Sequence, residues 1–196
     1  WNSVHNTMRK DLSNNSYVTF DLVHKSNPKL TVLPDSLEQI KKIVIDNKSK
    51  IIRASGGHHT FSAISLSDDV VLRTFNLKKV LNLDKEKMQI TMESGMLLHE
   101  LNMYLKENGL ALPILPAIPW QCVGGALATS THGSVTNRGS LSSLVVNITM
   151  VLSDGTHRTF SSKDKEFEAV ITGLGCLGIV YSVTLRCVPA FAIKHT

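Results

Sequence analysis

Apolar positions change period several times along the chain, and each change marks an element. Leu30–Leu33 reads as a short strand; after Pro34-Asp35-Ser36, the positions Leu37, Ile40 and Val44 recur as one face of a helix. Ser36 and Gln39 stand in capping-box spacing at its start. Short β-rich runs predict strands at Ile51–Arg53, Asp69–Arg73, Lys79–Leu83 and Met88–Glu93. Helical spacing returns over Leu97–Lys106 through Leu98, Leu101 and Leu105, and Asn108-Gly109 stops it. A proline-rich connection, Leu112–Trp120, follows. Val145–Leu152, the turn Asp154-Gly155 and Thr156–Phe160 predict a hairpin. Lys163–Thr172 reads as a helix and Ile179–Val188 as the last strand. The first 27 residues are polar, rich in Asn and Ser, and nearly aperiodic. Strands and helices alternate early and hairpin strands dominate later, so the expected class is α+β in two lobes, not a doubly wound sheet.

Composition narrows the classes. A chain of 196 residues, 42% hydrophobic and 19% charged, is long and apolar enough to fold. Its net charge of +5 comes from scattered basic residues, which favours an anionic small ligand over nucleic acid. Cys122, Cys176 and Cys187 are odd in number and widely spaced, which suits a reducing compartment better than a disulfide framework or a zinc site. No apolar run reaches membrane-spanning length. Asn14, Asn47 and Asn147 open sequons, a pattern common by chance. The chain opens on Trp1 without a signal core, so it is expected to be part of a longer or processed product.

Three glycine-rich segments carry the candidate chemistry. The first, Arg53-Ala54-Ser55-Gly56-Gly57-His58-His59-Thr60-Phe61-Ser62, follows the short β-branched run Lys50-Ile51-Ile52, and Ser55, Gly56, Gly57, His58, His59, Thr60, Phe61 and Ser62 are its candidate contacts. Its glycines allow close approach of a ligand, and successive amides in such a turn cradle phosphate. The second, Val123-Gly124-Gly125-Ala126-Leu127-Ala128-Thr129-Ser130-Thr131-His132-Gly133-Ser134, has small residues throughout. It could lie along a flat ligand, its hydroxyls donating to oxygens, or form a tightly packed glycine helix with no ligand. The third, Gly173-Leu174-Gly175-Cys176-Leu177-Gly178, spells G-x-G-x-x-G but follows a predicted helix and precedes a strand. That order is the reverse of the Rossmann fingerprint, so a tight helix-to-strand turn is expected. No P-loop motif occurs. His58 and His59 are adjacent and point apart, so no shared metal is expected; His99 reads as a helix-surface imidazole, and Cys122 as a small buried hydrophobe. Glu93, Asp84 and Glu100 form no acid–base pair by spacing.

Taken together and in order, the three segments resemble the flavin-binding (PCMH-type) domain of the vanillyl-alcohol oxidase/p-cresol methylhydroxylase superfamily, in particular its sugar-lactone and alditol oxidases. Glu93-Ser94-Gly95, Leu98-x-x-Leu101-Asn102-x-x-Leu105 and Gly109-Leu110-x-Leu112-Pro113 agree as well, so the likeness covers about 28–190. The resemblance implies FAD lying extended between a small α/β lobe (about 28–83) and a larger, mainly antiparallel β lobe with flanking helices (84–190). Residues 1–27 would then be a lead-in, and 191–196 the start of a linker to a substrate domain. It implies that the first turn holds the diphosphate and that His59, matching His-Ser-Phe/Pro-Asn/Ser as His59-Thr60-Phe61-Ser62, is bonded to the flavin 8α-methyl. Val123, Gly124, Gly125, Ala128, Thr129, Thr131, His132 and Gly133 are expected along the flavin and diphosphate, and Gly178, Ile179 and Val180 at the adenine side. Pro116 stands where related oxidases tend to have glycine near the flavin edge, which leaves oxidase and dehydrogenase both open. Cys122 is too close to Gly124 for the second, cysteinyl tether of some relatives, so one tether is expected.

The resemblance implies an FAD-dependent oxidoreductase that takes hydride from the CH–OH group of a sugar lactone or polyol and passes electrons to oxygen or another acceptor. Its catalytic base would lie in a substrate domain outside this chain. Two other readings stand beside it: a non-catalytic or truncated flavin- or nucleotide-binding module, and a structural domain with no ligand.

Overall fold

The computed structural model describes residues 16–134 and 139–192. It opens with an antiparallel pair, β1 (Tyr17–Val18) and β2 (Lys25–Ser26). Both lie in the stretch the sequence marks as a polar lead-in. Two-residue strands leave no periodicity to read, yet Tyr17, Thr19 and Ser26 are buried. Residues 1–15 of that lead-in, where the Asn14 sequon begins, fall outside the described residues, as do 193–196 of the expected linker.

The small lobe is a parallel sheet in the order β3-β5-β4, built from β3 (Leu30–Val32), β4 (Ile52–Ser55) and β5 (Val70–Arg73). Parallel neighbours need long crossovers. The first is α1 (Leu37–Asp46), which buries Ile40 and Val44 and leaves Glu38, Lys42 and Asp46 in water. Its predicted capping box does not form: Ser36 makes no side-chain cap, and Gln39 Oε1 accepts instead from the Asp35 N–H, one residue before the cap, at 3.0 Å. The second crossover, from β4 to β5, has only a 3-10 turn (Ala63–Ser65), so the first glycine segment emerges at the carboxyl end of a parallel edge strand. Carboxyl ends of parallel strands are where ligands of α/β sheets collect.

The large lobe is an antiparallel sheet ordered β10-β9-β11-β7-β6. Its strands are β6 (Val80–Asp84), β7 (Gln89–Glu93), β9 (Val145–Val151), β10 (His157–Ser161) and β11 (Ile179–Arg186). Because a short turn ties β6 to β7 as a hairpin, β6 belongs to this sheet, and the change of lobe lies between Arg73 and Val80, ahead of the expected boundary near residue 83. Helices α2 (Leu98–Glu107), α3 (Val123–Ala128) and α4 (Phe167–Ile171) flank it, and β8 (Leu110–Ala111) pairs with β12 (Val188–Pro189). The helix predicted from Lys163 begins only at Phe167, because the Asp164 carboxylate accepts from the Ser161 N–H (2.8 Å) and Arg158 (2.6 Å) and fixes a turn there instead.

Among the described residues, two apolar clusters hold the fold together. One lies within the large lobe, where Leu98, Leu101 and Leu105 of α2 pack on Ile90, Met92, Ile148 and Leu185. The other joins the lobes: Ile40, Val44, Leu72 and Leu77 meet Val151 and Ile179. The space between the lobes therefore has walls fixed by packing.

Candidate functional site

All three glycine segments, far apart in the chain, line one cleft of about 160 Å³. Ser55, Gly56, Gly57, His58, His59 and Thr60 form one side; Gly124, Gly125, Ala128 and Thr129 another; and Gly173, Leu174, Gly175, Gly178 and Val180 a third.

The floor explains why the segments converge. Ser94, at the end of β7, is buried; its Oγ donates to Val180 O (2.6 Å), its N–H donates to Tyr181 O (2.8 Å), and its carbonyl accepts from the Gly124 N–H (2.8 Å). One residue thus ties the second and third segments together. The first is tied in by close packing. A Cβ at Gly56 would stand 2.9 Å from Cys122 Cβ, and one at Gly57 would stand 2.6 Å from the Trp120 carbonyl oxygen. Glu93 beside Ser94 serves the same junction, accepting from the Lys79 N–H (2.8 Å) and the Tyr181 hydroxyl (3.2 Å). Glu100 pairs with Lys78 at 2.6 Å and Asp84 with Lys87 at 3.0 Å, so all three acids singled out in the sequence have structural partners.

The turn holding the two histidines is shaped by the N-terminal hairpin. Phe20 donates its N–H to Thr60 O at 2.9 Å, and its ring lies 5.6 Å from that of His59 and 5.5 Å from that of Phe61. His58 takes a left-handed φ of +56°. Its Nε2 is 3.0 Å from Ser55 Oγ and its ring 5.0 Å from that of Tyr17. Burial pushes its imidazole down to about 4, with the Arg73 guanidinium and then His59 adding to the effect, so His58 is neutral at pH 7. Arg73 itself is buried, held over Phe75 (4.6 Å) and Tyr17 (5.7 Å). Cys122 lines the cleft as well, but burial pushes its thiol up to about 12, which leaves no thiolate near neutral pH. No group of three or more His, Cys, Asp or Glu suited to a metal occurs among the described residues.

The other residues expected at the site lie beside the cleft. Val123 and Ile179 are core residues, and Phe61 is exposed. Ser62 Oγ is 3.3 Å from Thr60 Oγ1, and Thr131 Oγ1 is 3.3 Å from Thr129 Oγ1. His132 is exposed, with Nδ1 3.0 Å from Gly133 O; Gly133 packs against the Leu115 carbonyl, next to half-buried Pro116. Conversely, Arg53, Thr74, Ser94, Gln121, Cys122 and Met150 line the cleft without having been expected there. Ser94 and Arg53 had a signal, since Glu93-Ser94-Gly95 belongs to the matching stretches and Arg53 opens the first segment; the others reach the cleft through tertiary contacts that no local motif announces.

The cleft suits an extended dinucleotide. Much of its wall is backbone, and at Gly125 and Gly175 nothing stands within 4 Å of where a Cβ would be. The described lining residues include no carboxylate to repel a diphosphate.

Comparison with known proteins agrees. Residues 28–161 match the family profile of the FAD binding domain. L-Gulonolactone oxidase of Mus musculus is 34% identical over 174 residues, which is 87% of this chain and 40% of that protein. D-Arabinono-1,4-lactone oxidase of Candida glabrata is 32% identical over 182 residues, 89% of this chain and 35% of that protein. Among solved structures, cholesterol oxidase from Brevibacterium sterolicum (a histidine-to-alanine variant) superposes with a TM-score of 0.78 at 20% identity, covering 89% of this chain and 37% of that one. Alkyldihydroxyacetonephosphate synthase superposes at 0.73 and 21% identity, covering 81% and 31%. The chain spans well under half the length of these relatives. A profile matched over more than half of its length, on a fold whose three glycine segments share one cleft, shows that the chain belongs to the FAD-binding domain family, that it is homologous to the aldonolactone oxidases, and that its cofactor is FAD.

Proposed function

We propose that this chain is the cofactor-holding domain, over residues 28–190, of an FAD-dependent oxidoreductase that oxidises a CH–OH group of a sugar lactone or polyol, with oxygen or another acceptor taking the electrons. The observation that carries this reading is the convergence of three segments distant in sequence on one cleft, in a chain homologous to lactone oxidases. When bound, the flavin supplies the two-electron chemistry.

In this reading the protein's own residues bind and orient. Backbone amides of the Gly56–Thr60 turn hold the diphosphate through charge-assisted hydrogen bonds worth ~1.5–3 kcal/mol each, and the small residues Gly124, Gly125 and Ala128 let the cofactor approach α3 closely. Such amides add no base or nucleophile beside the flavin. The Gly178–Val180 backbone borders the adenine side. Thr131, His132, Gly133 and Pro116 flank the path of the cofactor. His59, which matches the family pattern as His59-Thr60-Phe61-Ser62, is the single covalent tether in this reading. The residues that hold the substrate and take its hydroxyl proton would come from chain that the relatives possess beyond the matched region.

Two measurements test the reading. Denatured, flavin-loaded protein should keep in-gel flavin fluorescence, and His59→Ala should abolish it; fluorescence that survives the substitution would falsify the tether assignment. In the longest natural form of the chain, anaerobic addition of an aldono-1,4-lactone should bleach the flavin band. Failure of every lactone and polyol tried would leave only a binding module.

A further inference from the structure

One cation occupies the cleft without a counterion. Among the described residues that line it, Arg53 alone carries a fixed charge; the others are neutral, apart from the two histidines. Arg53 lies on β4, two residues before Ser55 and opposite the loop of the third segment. Its Nη1 reaches the Gly175 carbonyl at 3.5 Å and Cys176 Sγ at 3.6 Å. The carbonyl contact is at the outer limit of hydrogen bonding, where good N–H···O bonds measure about 2.9 Å, and the second partner is a sulfur, a weak acceptor. No ion pair with a carboxylate is formed by Arg53 among the described residues. A guanidinium has five donors in a planar fork that matches phosphate oxygens. Here at most one nitrogen is engaged, and only weakly, in a space that has to accept a doubly charged anion. Glycine amides offer partial charges alone, so the one full positive charge in the lining sets where negative charge is most stable.

We propose that Arg53 is a cofactor-recognising residue that pairs with a phosphate of the ADP half, so that the cleft selects adenosine diphosphate chemistry over uncharged adenosine or riboflavin. The proposal rests on the FAD-domain reading above and assigns within it a side chain at the head of the first segment that is neither among the expected cofactor contacts nor the expected tether. Arg53 leans on the third segment, whereas His59 leans on Phe20 of the N-terminal hairpin. The two residues therefore act through different walls. Engagement of a phosphate would replace two marginal contacts with charge-assisted ones at little cost.

The test is calorimetric titration of the flavin-free chain with ADP and with adenosine, with FAD uptake as a control. ADP should bind about 10-fold or more tightly than adenosine, as one charge-assisted contact implies. R53Q should collapse that ratio while leaving adenosine affinity and the unfolding midpoint unchanged, and R53K should retain part of it. An R53Q chain that keeps the full ADP preference overturns the proposal, as does a wild-type chain that takes up FAD yet does not distinguish ADP from adenosine. A wild-type chain that takes up neither FAD nor ADP removes the parent reading as well, so the two failures are distinct. If R53Q does not fold, ionic strength decides the matter in the wild type: ADP affinity should fall with salt and adenosine affinity should not. Salt-independent ADP binding contradicts the pairing.

Discussion

His58 holds a conformation that L-residues avoid, with φ at +56°, beside the residue expected to anchor the cofactor. Such a backbone costs about 1–2 kcal/mol and persists only where neighbours fix it. Here Ser55 and Tyr17 do so. Burial depresses the folded-state value from 6.5 to about 4, so in that interval the unfolded chain binds a proton that the folded chain does not. Stability from this group is therefore complete above pH 6.5 and is lost as pH falls through 4, by up to about 3 kcal/mol. Asp69, Asp84 and Asp164 are held below 3.8 by hydrogen bonds and act only under that window. Denaturant unfolding at a series of pH values should show the decline, and His58→Asn, which tolerates the left-handed backbone, should flatten it. Unchanged pH dependence in that variant would mean that another group is responsible. A glycine pair separates folding from binding at the same scale. Gly125 lies in α3 with open space at its Cβ position, so Gly125→Ala should stabilise the flavin-free chain by up to about 1 kcal/mol and weaken FAD uptake. At Gly57 the added methyl meets the Trp120 carbonyl 2.6 Å away, so Gly57→Ala should lower the unfolding midpoint itself. Equal behaviour of the two variants in thermal melts would remove this distinction.

At the scale of elements, the turn between β9 and β10 does more than reverse the chain. Gly155 has φ +84° and packs directly against Ile45 of α1, so a large-lobe turn rests on the small lobe. Gly155→Ala should destabilise by about 1–3 kcal/mol through backbone strain and overpacking. Adding Ile45→Ala should recover only the overpacking share, as read from urea midpoints; full recovery would show that φ contributes nothing. This turn was legible from Asp154-Gly155 alone, as were α2 from Leu98, Leu101 and Leu105 and the main strands from their β-branched runs. Glycine and alanine carry no amphipathic signal, so α3 fits a ligand-lining stretch and a packed helix equally in its sequence. It is a short helix, and it lines the cleft all the same. The β1–β2 hairpin was not legible at all: its order depends on Tyr17 stacking near His58 and on Phe20 bonding to Thr60, contacts about 40 residues away in sequence.

For the whole molecule, the shared cluster of Ile40, Val44, Leu72, Leu77, Val151 and Ile179 makes the two lobes one packed body. Ser94 then brings the second and third glycine segments to the same floor. The candidate site was legible as three motifs in order; which of their residues face the cleft was not, since Val123 and Ile179 turn into the core while Arg53 and Met150 turn out of their strands toward it. A cleft with fixed walls, backbone donors and one unpaired cation should take up a dinucleotide without large rearrangement, and a bound ligand should raise stability in proportion to its saturation. The most direct measurement is gel filtration of the refolded chain after incubation with excess FAD, monitored at the flavin and protein bands together. The account predicts one flavin travelling with each chain, together with a raised unfolding midpoint. A chain that is folded by circular dichroism yet elutes colourless would contradict it.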